Sequence, residues 1–88
     1  MRPVTSFYTD KEAIRFIEKN KALIGVEVFV NEAKSKTDKI ESLTYMREQT
    51  GNNIFIYAIA CKLNSGPQMA LYELVSINGS KFSSEIKL

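Results

Sequence analysis

The sequence contains one cysteine, Cys61, and no histidine. Histidine is the commonest general base in enzymes and the commonest transition-metal ligand. Its absence excludes Ser–His triads, Cys–His dyads and typical zinc sites. Cys61 lies inside the apolar run Ile54–Leu63, so we interpret it as a small buried hydrophobic side chain rather than a nucleophile. We therefore expect no cofactor, no metal and no catalytic residue.

An acid-x-lysine motif, Glu32-Ala33-Lys34, directly follows the predicted strand Ile24–Val30. Over residues 26–60, this order of strand end, helix and buried strand resembles the core of the PD-(D/E)xK nucleases. The resemblance implies that the acid helps to hold a divalent metal and that the lysine positions a water molecule or stabilises charge. The aspartate of that family belongs on a neighbouring upstream strand, which this sequence does not predict. A solvated loop is the simpler interpretation.

Three lysines close to this motif could contact nucleic-acid phosphates. Acidic residues alternate with them along the chain and reduce the positive field. The alternative candidate site, for nucleic acid or metal, consists of Glu32, Lys34, Lys36 and Lys39.

Tyrosines and arginines are a further candidate, because small RNA-cleaving toxins can act with lysine, arginine and tyrosine and without histidine. The residues considered are Tyr8, Arg15, Tyr45 and Arg47. Their spacing does not single them out, and we interpret them as surface arginines and as tyrosines at the edge of the core.

The composition is typical of a single globular domain, residues 1–88, with 44% hydrophobic and 25% charged residues. The net charge of +2, from 12 basic and 10 acidic residues, is too balanced to indicate a nucleic-acid partner. Residues 1–9 lack the apolar stretch of a signal peptide, and no run approaches the ~20 apolar residues of a membrane span. With no disulfide possible, we expect a cytoplasmic protein.

Four elements are predicted before the C-terminal region. Thr9 and Glu12 form a capping box, which predicts an amphipathic helix over residues 10–21. Alternating β-branched residues predict the strand Ile24–Val30, and Ile54–Leu63 is predicted to be a central strand because both its faces are apolar. For residues 38–50, the spacing of Ile40, Leu43 and Met46 favours a second helix, although a strand is the open alternative.

The dipeptide Asn78-Gly79 predicts a two-residue hairpin turn. The strands Met69–Ile77 and Ser80–Leu88 would flank it, with Val75 opposite Phe82. The predicted fold class is therefore α+β, in the order α-β-α-β-β-β. Two helices pack on one face of a sheet whose last three strands form a C-terminal antiparallel meander. The expected core contains Ile14, Ile17, Val26, Val28, Ile56, Ile59, Leu71, Val75, Phe82 and Ile86.

The outer face of that hairpin is the candidate partner-binding surface, because helices on the other face would leave an exposed tyrosine and leucine among charged residues. Its residues are Tyr72, Leu74, Lys81, Glu85 and Lys87. Strand Ser80–Leu88 has the alternating charges of an edge strand, which predicts a homodimer or an added partner strand there.

These observations favour a small non-enzymatic protein-binding domain, an adaptor or inhibitor that occupies a partner protein's surface. The partner's identity does not follow from the sequence, and no membrane partner is expected. The alternative is a nucleic-acid-binding or divalent-metal-dependent nuclease-like domain centred on Glu32 and Lys34.

Overall fold

The computed structural model describes residues 4–31, 33–79 and 82–86. Within these residues the chain forms one α-helix and seven strands, with short 3₁₀ turns at Lys21–Leu23 and Leu71–Glu73. The helix is α1, Asp10–Lys19. The strands are β1 (Val4–Phe7), β2 (Glu27–Phe29), β3 (Thr37–Gly51), β4 (Ile54–Leu63), β5 (Met69–Ala70), β6 (Val75–Ser76) and β7 (Ser83–Ile86).

Helix α1 begins where the capping box predicts. The Glu12 N–H donates to Thr9 Oγ1 at 3.3 Å, and Thr9 Oγ1 donates to the Glu12 carboxylate at 3.0 Å. Thr9 thus satisfies one of the N–H groups that a helix start leaves without an intrahelical partner. Ala13 is the fully buried residue of the helix, and its lack of bulk allows α1 to approach the sheet closely.

The predicted second helix is wrong, because residues 38–50 lie within the long strand β3. β3 pairs with β4 in antiparallel register from Ile40 opposite Leu63 to Gly51 opposite Ile54. Between Ile40 and Ser42 the register shifts by one, so Glu41 is an extra residue in β3. Such a bulge moves the alternation of side chains by one position. The resulting spacing of three, from Ile40 to Leu43, imitates a helical pattern.

One sheet contains all seven strands in the order β6-β2-β3-β4-β1-β7, with β5 also paired to β4. β1 occupies one part of the free edge of β4, where Phe7 lies opposite Tyr57, and β5 occupies another, where Met69 lies opposite Cys61. All these pairs are antiparallel except β1 with β7, which is parallel. The predicted architecture of two helices on a sheet with a C-terminal meander is therefore wrong.

The predicted C-terminal hairpin is also wrong, and Val75 does not face Phe82 across it. β6 pairs with β2, where Val75 lies opposite Phe29, and β7 pairs with β1. A turn does form, but it closes one residue earlier, with the Gly79 N–H donating to the Ser76 carbonyl at 2.9 Å. Gly79 has φ 93°, whereas Asn78 does not have a positive φ. A type I′ turn needs positive φ at both central residues, so Asn78 and Gly79 do not form one.

The core lies between α1 and the sheet. Its largest fully buried apolar side chains are Ile40, Ile59, Leu63, Leu71, Leu74 and Val28. Of the predicted core, the structure confirms burial of Val28, Ile56, Ile59, Leu71 and Val75. Ile17 and Phe82 are half-buried against the core. Ile14 and Val26, at 41% and 38% exposed, were wrongly predicted to be buried. The Ile86 side chain lies outside the described part of the chain.

The β3–β4 turn contains a residue in the left-handed region, Asn53, with φ 60°. We expect Asn53→Ala to lower the free energy of unfolding by about 1 kcal/mol, because the short polar side chain of asparagine can hydrogen-bond locally in the left-handed region and alanine has no such group. Asn53→Gly is expected to cost less, since glycine has no Cβ. Urea denaturation measures both, with Asn52→Ala, which does not have a positive φ, as the near-neutral control. Equal stability of the Ala and Gly variants at position 53 would contradict the prediction.

Candidate functional site

The loop that carries the acid-x-lysine motif is organised by Asn31 and Ser35. The Asn31 side chain accepts from the Ser35 N–H at 3.1 Å and donates to the Ser35 hydroxyl at 2.9 Å. Lys34 is exposed, has φ 56°, and its ammonium lies 3.1 Å from the position that a Cβ would take at Gly79. Lys34 therefore reaches the turn that follows β6. Glu32 lies outside the described residues, so its position relative to Lys34 stays a prediction.

The other two lysines are exposed: Lys36 directly precedes β3, and Lys39 lies within it, three positions further on. The acid between them, Asp38, accepts hydrogen bonds from the Lys39 N–H at 2.7 Å and from the Ser65 hydroxyl at 3.0 Å. Partial burial acts to raise the pKa of Asp38, but these bonds and the nearby Lys36 hold it below its ordinary value. Asp38 thus ties β3 to the turn after β4. In residues 4–31, 33–79 and 82–86, no three Cys, Asp or Glu side chains lie close enough together to hold a metal ion.

An upstream strand does precede the motif, contrary to the sequence prediction. β1, Val4–Phe7, lies two strands away from β3, on the far edge of β4. It contains no acidic residue, and the first aspartate after it, Asp10, begins α1. The metal-dependent nuclease interpretation gains no described ligand from this strand.

The structure does not bring the predicted partner-binding residues together on one hairpin. Leu74 has no exposed surface and belongs to the core, so its predicted exposure is wrong. Tyr72 is half-buried in the 3₁₀ turn Leu71–Glu73. Burial raises its pKa, and the carboxylates of Glu48 and Glu73 add to this effect. Glu85 belongs to β7, whereas Lys81 and Lys87 lie outside the described residues.

A surface that the sequence did not single out lies on the β3–β4 hairpin. Arg47 on β3 lies directly opposite Tyr57 on β4, so both side chains lie on one face of the sheet. The Arg47 guanidinium carbon lies 4.6 Å from the centroid of the Phe55 ring, in a cation–π contact. Tyr45 contacts Tyr57 edge to face, with centroids 5.8 Å apart. We call these four residues, Tyr45, Arg47, Phe55 and Tyr57, the hairpin face.

An open cleft of about 230 Å³ lies beside α1. Its walls combine two phenylalanines with charged and amide side chains from successive turns of the helix. The lining residues are Phe7, Glu12, Arg15, Phe16, Lys19 and Asn20. Phe7 and Phe16 contact each other with tilted rings 5.8 Å apart. The Asn20 amide donates to the Phe16 carbonyl at 2.8 Å, which ends the helix at this cleft.

The sequence contained only part of the signal for these two features. Arg15, Tyr45 and Arg47 were considered for RNA chemistry, but the contacts of Tyr45 with Tyr57 and of Arg47 with Phe55 depend on the strand register. With residues 38–50 interpreted as a helix, Arg47 and Tyr57 could not be recognised as neighbours.

Among the helices in the described residues, none is long and apolar enough to span a membrane. The chain matches no protein-family model, no curated protein and no solved structure.

Proposed function

We propose that this chain is a non-enzymatic protein-binding domain, an adaptor or inhibitor that occupies a partner protein's surface by adding a partner strand to β7. The observation that supports this is the place of β7 at one end of the sheet. Within the described residues, β7 pairs with β1 alone. A terminal strand presents N–H and C=O groups to which an extended segment can bind.

The register of β7 bears on the kind of partner. Val4 pairs with Ser83 and Ser6 with Ile86, so β7 contains one residue more than β1 between the paired positions. Bulges at sheet edges hinder pairing with ordinary strands. A partner that matches the irregular edge is therefore favoured over indiscriminate association. A homodimer remains part of the proposal, with two copies of β7 paired about a two-fold axis.

Proline substitution tests the role of the β7 backbone. Glu85→Pro and Ser84→Pro each remove one N–H group from the strand, and at least one of them is expected to abolish partner binding or dimerisation. Glu85→Ala and Ser84→Ala are the matched controls, because they truncate the same side chains and keep the N–H groups. Sedimentation velocity at micromolar concentration reports self-association. Affinity capture from cell extract, followed by titration of the purified partner, reports hetero-association.

Thermal unfolding of each proline variant separates a local effect from loss of the fold. A monomeric wild-type protein that captures no stoichiometric partner would contradict the proposal. So would folded proline variants that bind as tightly as their alanine controls. Loss of binding in Glu85→Ala alone would indicate side-chain recognition and would contradict strand addition.

A further inference from the structure

The cleft beside α1 and the hairpin face are joined by a row of neighbouring side chains. Phe16 on the helix contacts Phe7 on β1, with ring centroids 5.8 Å apart. Phe7 lies opposite Tyr57 on β4, which in turn lies opposite Arg47 on β3. Residues opposite each other in antiparallel strands project from the same face, with Cβ atoms about 5 Å apart. The row therefore crosses three neighbouring strands on the side of the sheet that faces α1.

Two further rings extend this row along the hairpin. Tyr45 contacts Tyr57, and Phe55 stacks under Arg47. Phe7 is almost fully buried, whereas the other four rings are half-buried and retain accessible surface. We call these five residues, Phe7, Phe16, Tyr45, Phe55 and Tyr57, the aromatic strip.

Positive charges lie at both ends of the aromatic strip. Arg15 and Lys19 line the cleft at one end, and the exposed Arg47 lies at the other. The one acid that lines the cleft is Glu12, whose carboxylate accepts a hydrogen bond from Thr9. Half-buried rings that keep accessible surface, with cations at both ends, complement a ligand that combines planar rings with repeated negative charge.

We propose that the aromatic strip binds single-stranded nucleic acid. Bases stack on the accessible rings of Phe16, Tyr57 and Phe55, and phosphates contact Arg15, Lys19 and Arg47. An acidic peptide would satisfy the cations but carries no regular series of planar groups for the rings. Duplexes hold their bases stacked inside and present only phosphates to such a surface. This site is separate from the β7 edge and does not depend on the proposed protein partner.

Fluorescence anisotropy with labelled homopolymers of about ten nucleotides tests the inference. Uridine RNA and thymidine DNA serve as separate probes, which show whether the 2′-hydroxyl contributes, and a duplex of the same length is the comparison. We expect both single strands to bind more tightly than the duplex. About three phosphate contacts predict that log K falls with log salt concentration at a slope of roughly −2.

Two variants address the two kinds of contact. Arg47→Ala removes a cation, and Phe55→Leu removes a ring but keeps an apolar side chain at the hairpin. Each is expected to weaken single-strand binding by about fivefold or more, and Arg47→Ala is expected to make the salt slope shallower by about 0.7. Lys62→Ala is the matched control, since Lys62 is an exposed cation on the opposite face of the same hairpin, 3.3 Å from Glu41. Its effect on binding is expected to stay within about twofold.

Circular dichroism and thermal unfolding confirm that each variant is folded, and Arg15→Ala on the helix is the second cation variant if the hairpin variants do not fold. The inference would be overturned if neither the uridine RNA nor the thymidine DNA showed saturable binding. Equal losses in Arg47→Ala and Lys62→Ala would also overturn it, as would binding of poly-glutamate that depends on Phe55 in the absence of nucleic-acid binding. Glu85→Pro, if folded, is expected to keep full nucleic-acid affinity, which distinguishes this site from the β7 edge.

Discussion

Replacement of Ile59 by alanine is expected to lower the free energy of unfolding by about 2–5 kcal/mol. Ile59 is fully buried in the middle of β4 and belongs to the core cluster. Truncation removes apolar surface from the core and leaves a cavity that neighbouring side chains fill only in part. A domain of this size has a small total stability, so the loss is a large fraction of it. Urea denaturation followed by circular dichroism measures the change.

The control for this prediction is another isoleucine of the same strand. Ile54 is 51% exposed at the end of β4 beside the turn, so Ile54→Ala removes the same atoms from a site that keeps much of its contact with water. Its cost is expected to stay below about 1 kcal/mol. Comparable losses at the two positions would contradict the burial of β4 and the position of the core.

Alkaline pH is expected to destabilise the fold through Cys61. Burial raises the pKa of its thiol from 9.0 to about 12. Because the folded state binds this proton more tightly than the unfolded state, the stabilisation is fully present below pH 9 and is lost as the pH rises towards 12. A pKa difference of about three units between the unfolded and the folded state corresponds to about 4 kcal/mol of stability. The free energy of unfolding, measured by urea denaturation at a series of pH values, is expected to fall across this range.

Cys61→Ala isolates this effect, because the slope of stability against pH can be compared whatever the variant's absolute stability. Its slope between pH 9 and 12 is expected to be shallower than that of the wild type by the contribution of one proton. The pKa of Tyr72 is also raised, so loss of its proton is expected to lower the stability of the Cys61→Ala variant above pH 10. A thiol reagent at pH 8 gives a second test, since the thiolate fraction of the folded protein is about 1000-fold smaller than that of the unfolded protein. Equal labelling rates for native and urea-unfolded protein would contradict the burial.

Local signals were sufficient to predict α1 and β4. Thr9 and Glu12 fix the start of the helix through short-range hydrogen bonds, and the apolar residues of Ile54–Leu63 admit one element with two covered faces. In both segments, the information needed for the structure lies within about ten residues. β1 was missed because Val4–Phe7 is short and becomes a strand through pairing with distant residues.

The two largest errors arose where non-local pairing overrides the local pattern. The extra residue Glu41 in β3 shifts the alternation of inward and outward side chains by one position. A sequence pattern interpreted with a single fixed period does not detect such a shift. Gly79 does adopt the positive φ that the turn prediction needed. The segments on either side of it nevertheless pair with β2 and β1, because tertiary contacts decide which edge each strand occupies.

The same limitation applies to the candidate sites. Leu74 was placed on an exposed face because a hairpin was predicted, and Arg47 was not recognised as a neighbour of Tyr57 because a helix was preferred to a strand for residues 38–50. Side chains that form a surface across three strands share no sequence motif. Their proximity follows from register, which the sequence does not specify until the pairing of the strands is known.

The parallel pairing of β1 with β7 joins segments about 80 residues apart, as Val4 lies opposite Ser83. During synthesis on the ribosome, β1 leaves the exit tunnel long before β7 has been translated. Until then one edge of β1 has no partner, although its residues Thr5 and Ser6 are buried in the finished sheet. Contacts between segments this far apart in sequence slow folding, which prolongs the time in which an unpaired strand can aggregate. The nascent chain therefore depends on completion of β7 to protect its first strand.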